Sequence, residues 1–168
     1  MQNKISPTSL LSLEARHYPY QDCCTVALGV EAPSIDEVIP AFFRATPRWL
    51  DGLMELRNRL VKLVGLKTGR LGAPVVAPPF QVGQSIGLFR IIALTADEVV
   101  FGEDDWHLDF RVSFLVRQTA QGSSLAISTM VRTHNRLGRF YFAVVRPFHR
   151  VIAPMMAANT ARLLRTAP

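Results

Sequence analysis

Between residues 107 and 118 the chain alternates apolar and polar side chains. Leu108, Phe110, Val112, Phe114 and Val116 fall on one side, and His107, Asp109, Arg111 and Ser113 on the other. A period of two over this length predicts a strand with one covered face. Residues 124–133 repeat the pattern: Leu125, Ile127, Thr129 and Val131 oppose Ser128, Met130 and Arg132, and a turn through Gln121 and Gly122 joins the two strands. Residues 88–95 and 98–102 read as a hairpin around Ala96 and Asp97. Near the start, residues 20–30 form a first strand with Asp22, Cys24, Val26, Leu28 and Val30 on one face, and Pro33 breaks it.

Two stretches of helical period follow that first strand. Ser34, with Glu37 three residues on, makes a capping-box pattern, and the helix it opens ends near Phe43. A second begins at Thr46, with Pro47 at the first helical position, where a missing N–H costs nothing. It runs to about Val64 and stops at Gly65. Trp49, Leu53, Leu56, Leu60 and Leu63 make its apolar stripe, which assigns Trp49 to the core; Asp51, Glu55, Arg59 and Lys62 are available to water. Residues 66–87 change character: Gly69, Gly72, Pro74, Pro78, Pro79, Gly83 and Gly87 punctuate them, and Val75, Val76, Phe80 and Val82 interrupt their polarity. Connections this long are uncommon and often functional. The stretch is expected to lie over an opening, with part of it available as a short edge strand; an ordinary packed loop fits the same residues.

The last element is a long helix with Asn135 as its N-cap, running towards Arg165. At about 100° per residue, Leu137, Tyr141, Val144, Phe148, Val151, Ile152 and Met155 share one face, expected to be buried. Arg139, Arg146 and Arg150 lie opposite. Pro147 and Pro154 should bend the helix.

This order of elements resembles the helix-grip fold, an α+β arrangement. In it a curved antiparallel sheet wraps a long C-terminal helix, and two short helices follow the first strand. Residues 1–19 read as an N-terminal extension and 20–168 as a single domain. START-like lipid-binding domains, polyketide cyclases and birch-pollen-allergen-like proteins share that fold. The runs His107-Leu108-Asp109-Phe110-Arg111-Val112, His134-Asn135-Arg136-Leu137-Gly138-Arg139-Phe140-Tyr141 and Pro147-Phe148-His149 are also similar to an uncharacterised bacterial family. That family is a domain of unknown function, sometimes fused behind a short-chain dehydrogenase-like domain. The resemblance implies a cavity between sheet and final helix for hydrophobic or amphipathic ligands, occasionally used for catalysis. It transfers no catalytic residue.

Composition adds two points. Hydrophobic residues make up 49% and charged residues 19% of 168, an apolar surplus that suits a cavity wall or an interface. Charge is uneven within the net +6: Asp109 is the last acidic residue, and nine arginines follow it. Such a field favours an acidic partner or a membrane surface, although arginines also simply solvate a helix face. The first residues do not read as a secretory signal. Residues 140–158 are broken by Arg146, His149, Arg150 and two prolines, so no membrane span is expected. The two cysteines, Cys23 and Cys24, are adjacent and on a strand point to opposite faces, so they cannot pair. They suit a reducing compartment, and a cytoplasmic location is expected.

Two sets of candidate residues emerge. Phe110, Val112, Phe114, Leu125, Ile127, Phe148, Ile152, Met155 and Met156 would line a ligand cavity, with Asn159 as a polar anchor; a filled core would use the same side chains. His107, Asp109 and Arg111, with Arg132 and His134 on a neighbouring strand, have the make-up of a general-base site. A carboxylate orients an imidazole and an arginine holds an oxyanion. Their strand face is the polar one, however, so they are expected on the outer, solvated surface, where such groups form salt bridges. No metal, cofactor or nucleic-acid site is expected. Three functions therefore compete: a binder of a small hydrophobic or amphipathic molecule, a non-catalytic accessory domain with a basic surface, and a cyclase- or hydrolase-like enzyme using His107, Asp109 and Arg111.

Overall fold

The computed structural model describes residues 5–62 and 77–166. Strand β1 (Tyr20–Gly29) leads through α1 (Ile35–Arg44) and α2 (Arg48–Lys62). The chain then forms β2 (Ser85–Ile86), β3 (Phe89–Leu94), β4 (Glu98–Asp104), β5 (Leu108–Thr119) and β6 (Gly122–Thr133), and closes with α3 (Arg136–Thr166). The six strands make one curved antiparallel sheet in the order β1-β6-β5-β4-β3-β2. With two short helices and the long closing one, this is a helix-grip arrangement of the α+β class.

Local chemistry explains the boundaries. The Ser34 amide and hydroxyl both donate to Glu37 Oε2 at 2.8 Å, completing the capping box. Asn135 Oδ1 accepts from the Gly138 amide at 2.9 Å and starts α3. The β3–β4 turn closes where the Thr95 amide donates to the Glu98 carbonyl at 2.8 Å. The end of the 66–87 stretch contributes the expected edge strand, since β2 pairs with β3. Residues 63–76, which include Leu63, Val64 and Gly65, lie outside the described residues, as do the side chains of Leu56, Leu60, Arg59 and Lys62.

One face of the sheet carries the main core. Leu28, Ile91, Val99, Phe101, Phe114, Val116, Leu125 and Ile127 pack beneath α1 and the second half of α3. Phe42 of α1 meets Phe114 in a tilted pair at 4.4 Å between ring centroids, and Phe101 meets Phe114 edge-on at 5.3 Å. Edge-to-face aromatic pairs of this kind add to simple area burial.

Three expectations are corrected. Trp49 is exposed; Leu50, one residue round the helix, is buried in its place, because a stripe through Leu50 and Leu53 fits the same period. Val30 is exposed because β1 ends at Gly29, whose φ of 146° takes the chain out of strand geometry. The buried face of α3 is also different. Val144, Phe148 and Val151 point to solvent, whereas Gly138, Met156, Ala157, Thr160 and Ala161 are buried. This helix meets β1, β6 and α1 largely through small residues, which allow backbones to approach closely; a stripe drawn through the bulky side chains overlooks them.

Candidate functional site

The inner face of the sheet is unevenly covered. Strand β5 is third of six, and register places Phe110 opposite Val131 and Val112 opposite Thr129 of β6. Val131 and Thr129 are buried, yet Phe110 and Val112 are only half-buried. Phe89 of β3, 6.2 Å from Phe110 between ring centroids, is half-buried as well. Across from them, Ile152 and Met155 of α3 pack on the core but retain exposure. The described elements thus leave a partly open apolar strip in the middle of the sheet, floored by Phe101, Phe114 and Ile127. Glu103 follows Val99 and Phe101 by strand alternation and stands opposite Phe110 in the ladder, beside that strip.

The expected lining divides accordingly. Phe114, Leu125, Ile127 and Met156 are fully buried core, while Phe110, Val112, Ile152 and Met155 are half-buried at the margin. Phe148 is on the far side of α3, exposed, and does not join them. Asn159 directs its amide towards the Ala45 carbonyl at 3.4 Å, tying α3 to the end of α1. Phe89 and Glu103 were missed. The alternation Phe89, Ile91 on β3 and Val99, Phe101, Glu103 on β4 is the signal that places them.

The outer face is where the polar cluster sits, and it is largely covered: Asp109 is buried, while Arg132 and His134 stay partly exposed at its edge. Residues before β1 fold over it in two short 3-10 turns, Leu10–Leu13 and Ala15–His17. Leu11 and Tyr18 pack there on Val100 and Met130. Glu98 is buried and fixes this segment: Oε1 accepts from the hydroxyls of Ser9 at 2.6 Å and Ser113 at 2.5 Å, and Oε2 accepts from the Leu10 amide at 2.8 Å. Arg117 donates to the hydroxyls of Ser6 and Thr8. The Tyr18 ring lies under the guanidinium groups of Arg111 at 5.7 Å and Arg132 at 5.4 Å.

His107, Asp109 and Arg111 do not share a site. His107 precedes β5 in a turn, and its ring meets Tyr141 of α3 edge-on at 5.7 Å. The helix crosses the His107 carbonyl so closely that a Cβ on Gly138 would collide with it, which requires glycine there. Asp109 is buried and takes its imidazole from His134 instead, with Oδ1 2.8 Å from Nε2, while Arg132 donates to Oδ2 at 2.5 Å. Burial pushes the Asp109 carboxyl up, but the hydrogen bonds and charges of His134 and Arg132 outweigh it and hold the group below the usual range. Arg111 is bound to Asp104 at 2.7 Å and to Glu14 at 3.6 Å. A shallow depression of about 180 Å³, open to solvent, lies among Arg90, Ile92, Gly102, Glu103, Asp104 and Arg111, and includes neither His107 nor Asp109.

Cys23, Cys24 and His149 are enclosed elsewhere in the fold. Cys23 faces outward against Leu115 and Ala126, and Cys24 faces the core, so the two thiols are separated as their positions predict. Burial pushes the Cys24 thiol up to about 12, which keeps it protonated and unreactive. His149 of α3 lies 3.7 Å from Asp22 and edge-on to Tyr20; burial lowers its pKa and outweighs the carboxylate. Among the described residues, no helix is long and apolar enough to cross a membrane.

Comparison with known proteins gives the chain a family. No curated protein matches the chain. Among solved structures it is similar to protein MLL2253 from Mesorhizobium loti, at 14% identity over 89% of this chain and all of that one, with a TM-score of 0.44. The sequence profile of one family matches residues 14–156, most of the length, and the chain therefore belongs to the family described as "Protein of unknown function (DUF2867)".

Proposed function

We propose that this domain binds a small hydrophobic or amphipathic molecule on the inner face of the sheet, between β3, β5 and α3. The supporting observation is that Phe110 and Val112, on a middle strand, are not fully buried. Side chains in that position are ordinarily covered, and exposed contiguous apolar surface commonly serves recognition. Phe89, Ile152 and Met155 supply the walls, with the thioether adaptable to ligand shape. The likeness to START-like and polyketide-cyclase-like proteins, which hold apolar ligands between sheet and final helix, favours the same reading.

Native mass spectrometry of gently purified protein, paired with saturable binding of an environment-sensitive dye, tests it. The expected result is a co-purified small molecule, and dye binding that Phe110→Asp abolishes without lowering the melting temperature by more than a few degrees. An empty protein with no saturable dye binding rules the proposal out.

A further inference from the structure

The long helix carries an apolar ridge that nothing in the described fold covers. Phe140, Val144, Phe148 and Val151 are 71%, 50%, 50% and 67% exposed. Their spacing of four, four and three residues places them in one line along α3, about 16 Å long at 1.5 Å per residue. Ala143 and Pro147, also exposed, fill the line between them. Isolated apolar side chains on a surface are ordinary, but a continuous helical stripe with two phenylalanines is not.

The flank of that ridge is arginine. Arg136, Arg139, Arg146 and Arg150 are all exposed, and helical spacing sets them together along one side of the apolar line. Arg146 also lies over the Tyr20 ring at 5.3 Å, close to the sheet. No acidic residue occurs anywhere on α3. An amphipathic helix with aromatic and aliphatic side chains beside a basic row matches the interface of an anionic bilayer: apolar groups enter the acyl boundary and guanidinium groups reach lipid phosphates. A second copy of the chain fits poorly, because ridge-to-ridge contact would bring two arginine rows together with no carboxylate on either helix to offset them.

We infer that α3 is a docking surface for anionic lipid membranes, lying in the headgroup plane with the Phe140–Val151 line inserted. This surface faces away from the sheet and is independent of the ligand site proposed above. A domain resting on a bilayer through its long helix would be placed to exchange an amphipathic ligand with the membrane.

Co-sedimentation with vesicles of phosphatidylcholine alone, and of phosphatidylcholine mixed equally with phosphatidylglycerol, tests the inference. Binding is expected to the mixed vesicles only and should weaken as salt rises. Phe140→Ser combined with Phe148→Ser should abolish it while leaving the melting temperature and dye binding intact, since both side chains lie outside the core. Arg136→Gln and Arg139→Gln should each weaken it about fivefold, the worth of one basic residue near a charged membrane. Failure of the wild-type chain to bind mixed vesicles overturns the inference, as does equal binding by the double serine variant. A wild-type dimer that the serine pair dissociates, or retention by polyglutamate without vesicle binding, assigns the ridge to a protein partner and also overturns it.

Discussion

The two faces of this sheet are closed by different physics. Inside, rings and aliphatic chains from α1 and α3 pack on Phe101, Phe114 and Ile127, and no charge takes part in the floor of that core. Outside, the residues before β1 are held by a buried carboxylate, two serine hydroxyls and guanidinium groups over the Tyr18 ring, around a small apolar centre of Leu11, Tyr18, Val100 and Met130. The inner face is therefore tolerant of shape and left partly open; the outer face is held by directional hydrogen bonds and ion pairs. The ligand binding proposed above belongs with the first kind of surface. Of the polar cluster, Arg111 reaches Glu14 and, with Arg132, lies over the Tyr18 ring, so it also helps to fasten the chain's beginning to the sheet.

Changes on the two faces should differ in size and reach. Phe114→Ala removes a fully buried ring that meets both Phe42 and Phe101, and should cost about 3–5 kcal/mol of global stability in urea unfolding. Glu98→Ala leaves the Ser9 and Ser113 hydroxyls and the Leu10 amide without their acceptor. It should cost about 1–3 kcal/mol, and hydrogen exchange should rise first at residues 9–18 rather than across the sheet. A uniform rise would show that the two faces are not separable.

The smallest effect should appear in pH dependence. His149 is buried towards its neutral form, so its contribution is complete above the ordinary value of 6.5 and is lost as pH falls through its lowered folded value. Asp109, also lowered, stays favourable until pH falls below the ordinary carboxylate value of 3.8. Thermal melting against pH should show a first decline below about pH 6.5 that His149→Gln removes, and a second, acid limb that Asp109→Asn flattens. Persistence of the first decline in His149→Gln would assign it elsewhere.

Much of the architecture was legible because it depends on neighbours in the chain. Capping by Ser34 and Asn135, the alternation through Leu108–Val116, the β3–β4 turn and the opposed cysteines are each decided within a few residues. The candidate site was legible only in part. Phe110, Val112, Ile152 and Met155 are where their periodicity places them, but Phe148 belongs to the ridge on the far side of α3. Asp109 finds His134, not His107, because adjacent strands bring residues 25 apart in sequence closer than a turn brings residues two apart.

Local sequence thus determined which segments are strand and helix, and which side of each strand is oily. Tertiary structure decided which faces are covered. A strand's polar side can be buried when distant segments bring partners, as residues 6–18 do for Glu98 and Arg117 and as Arg132 and His134 do for Asp109. A helix's bulky side can be left in water when its small residues, Gly138, Ala157 and Ala161, permit a closer approach. Both outcomes depend on groups distant in the chain, and no periodicity within one element reports on them.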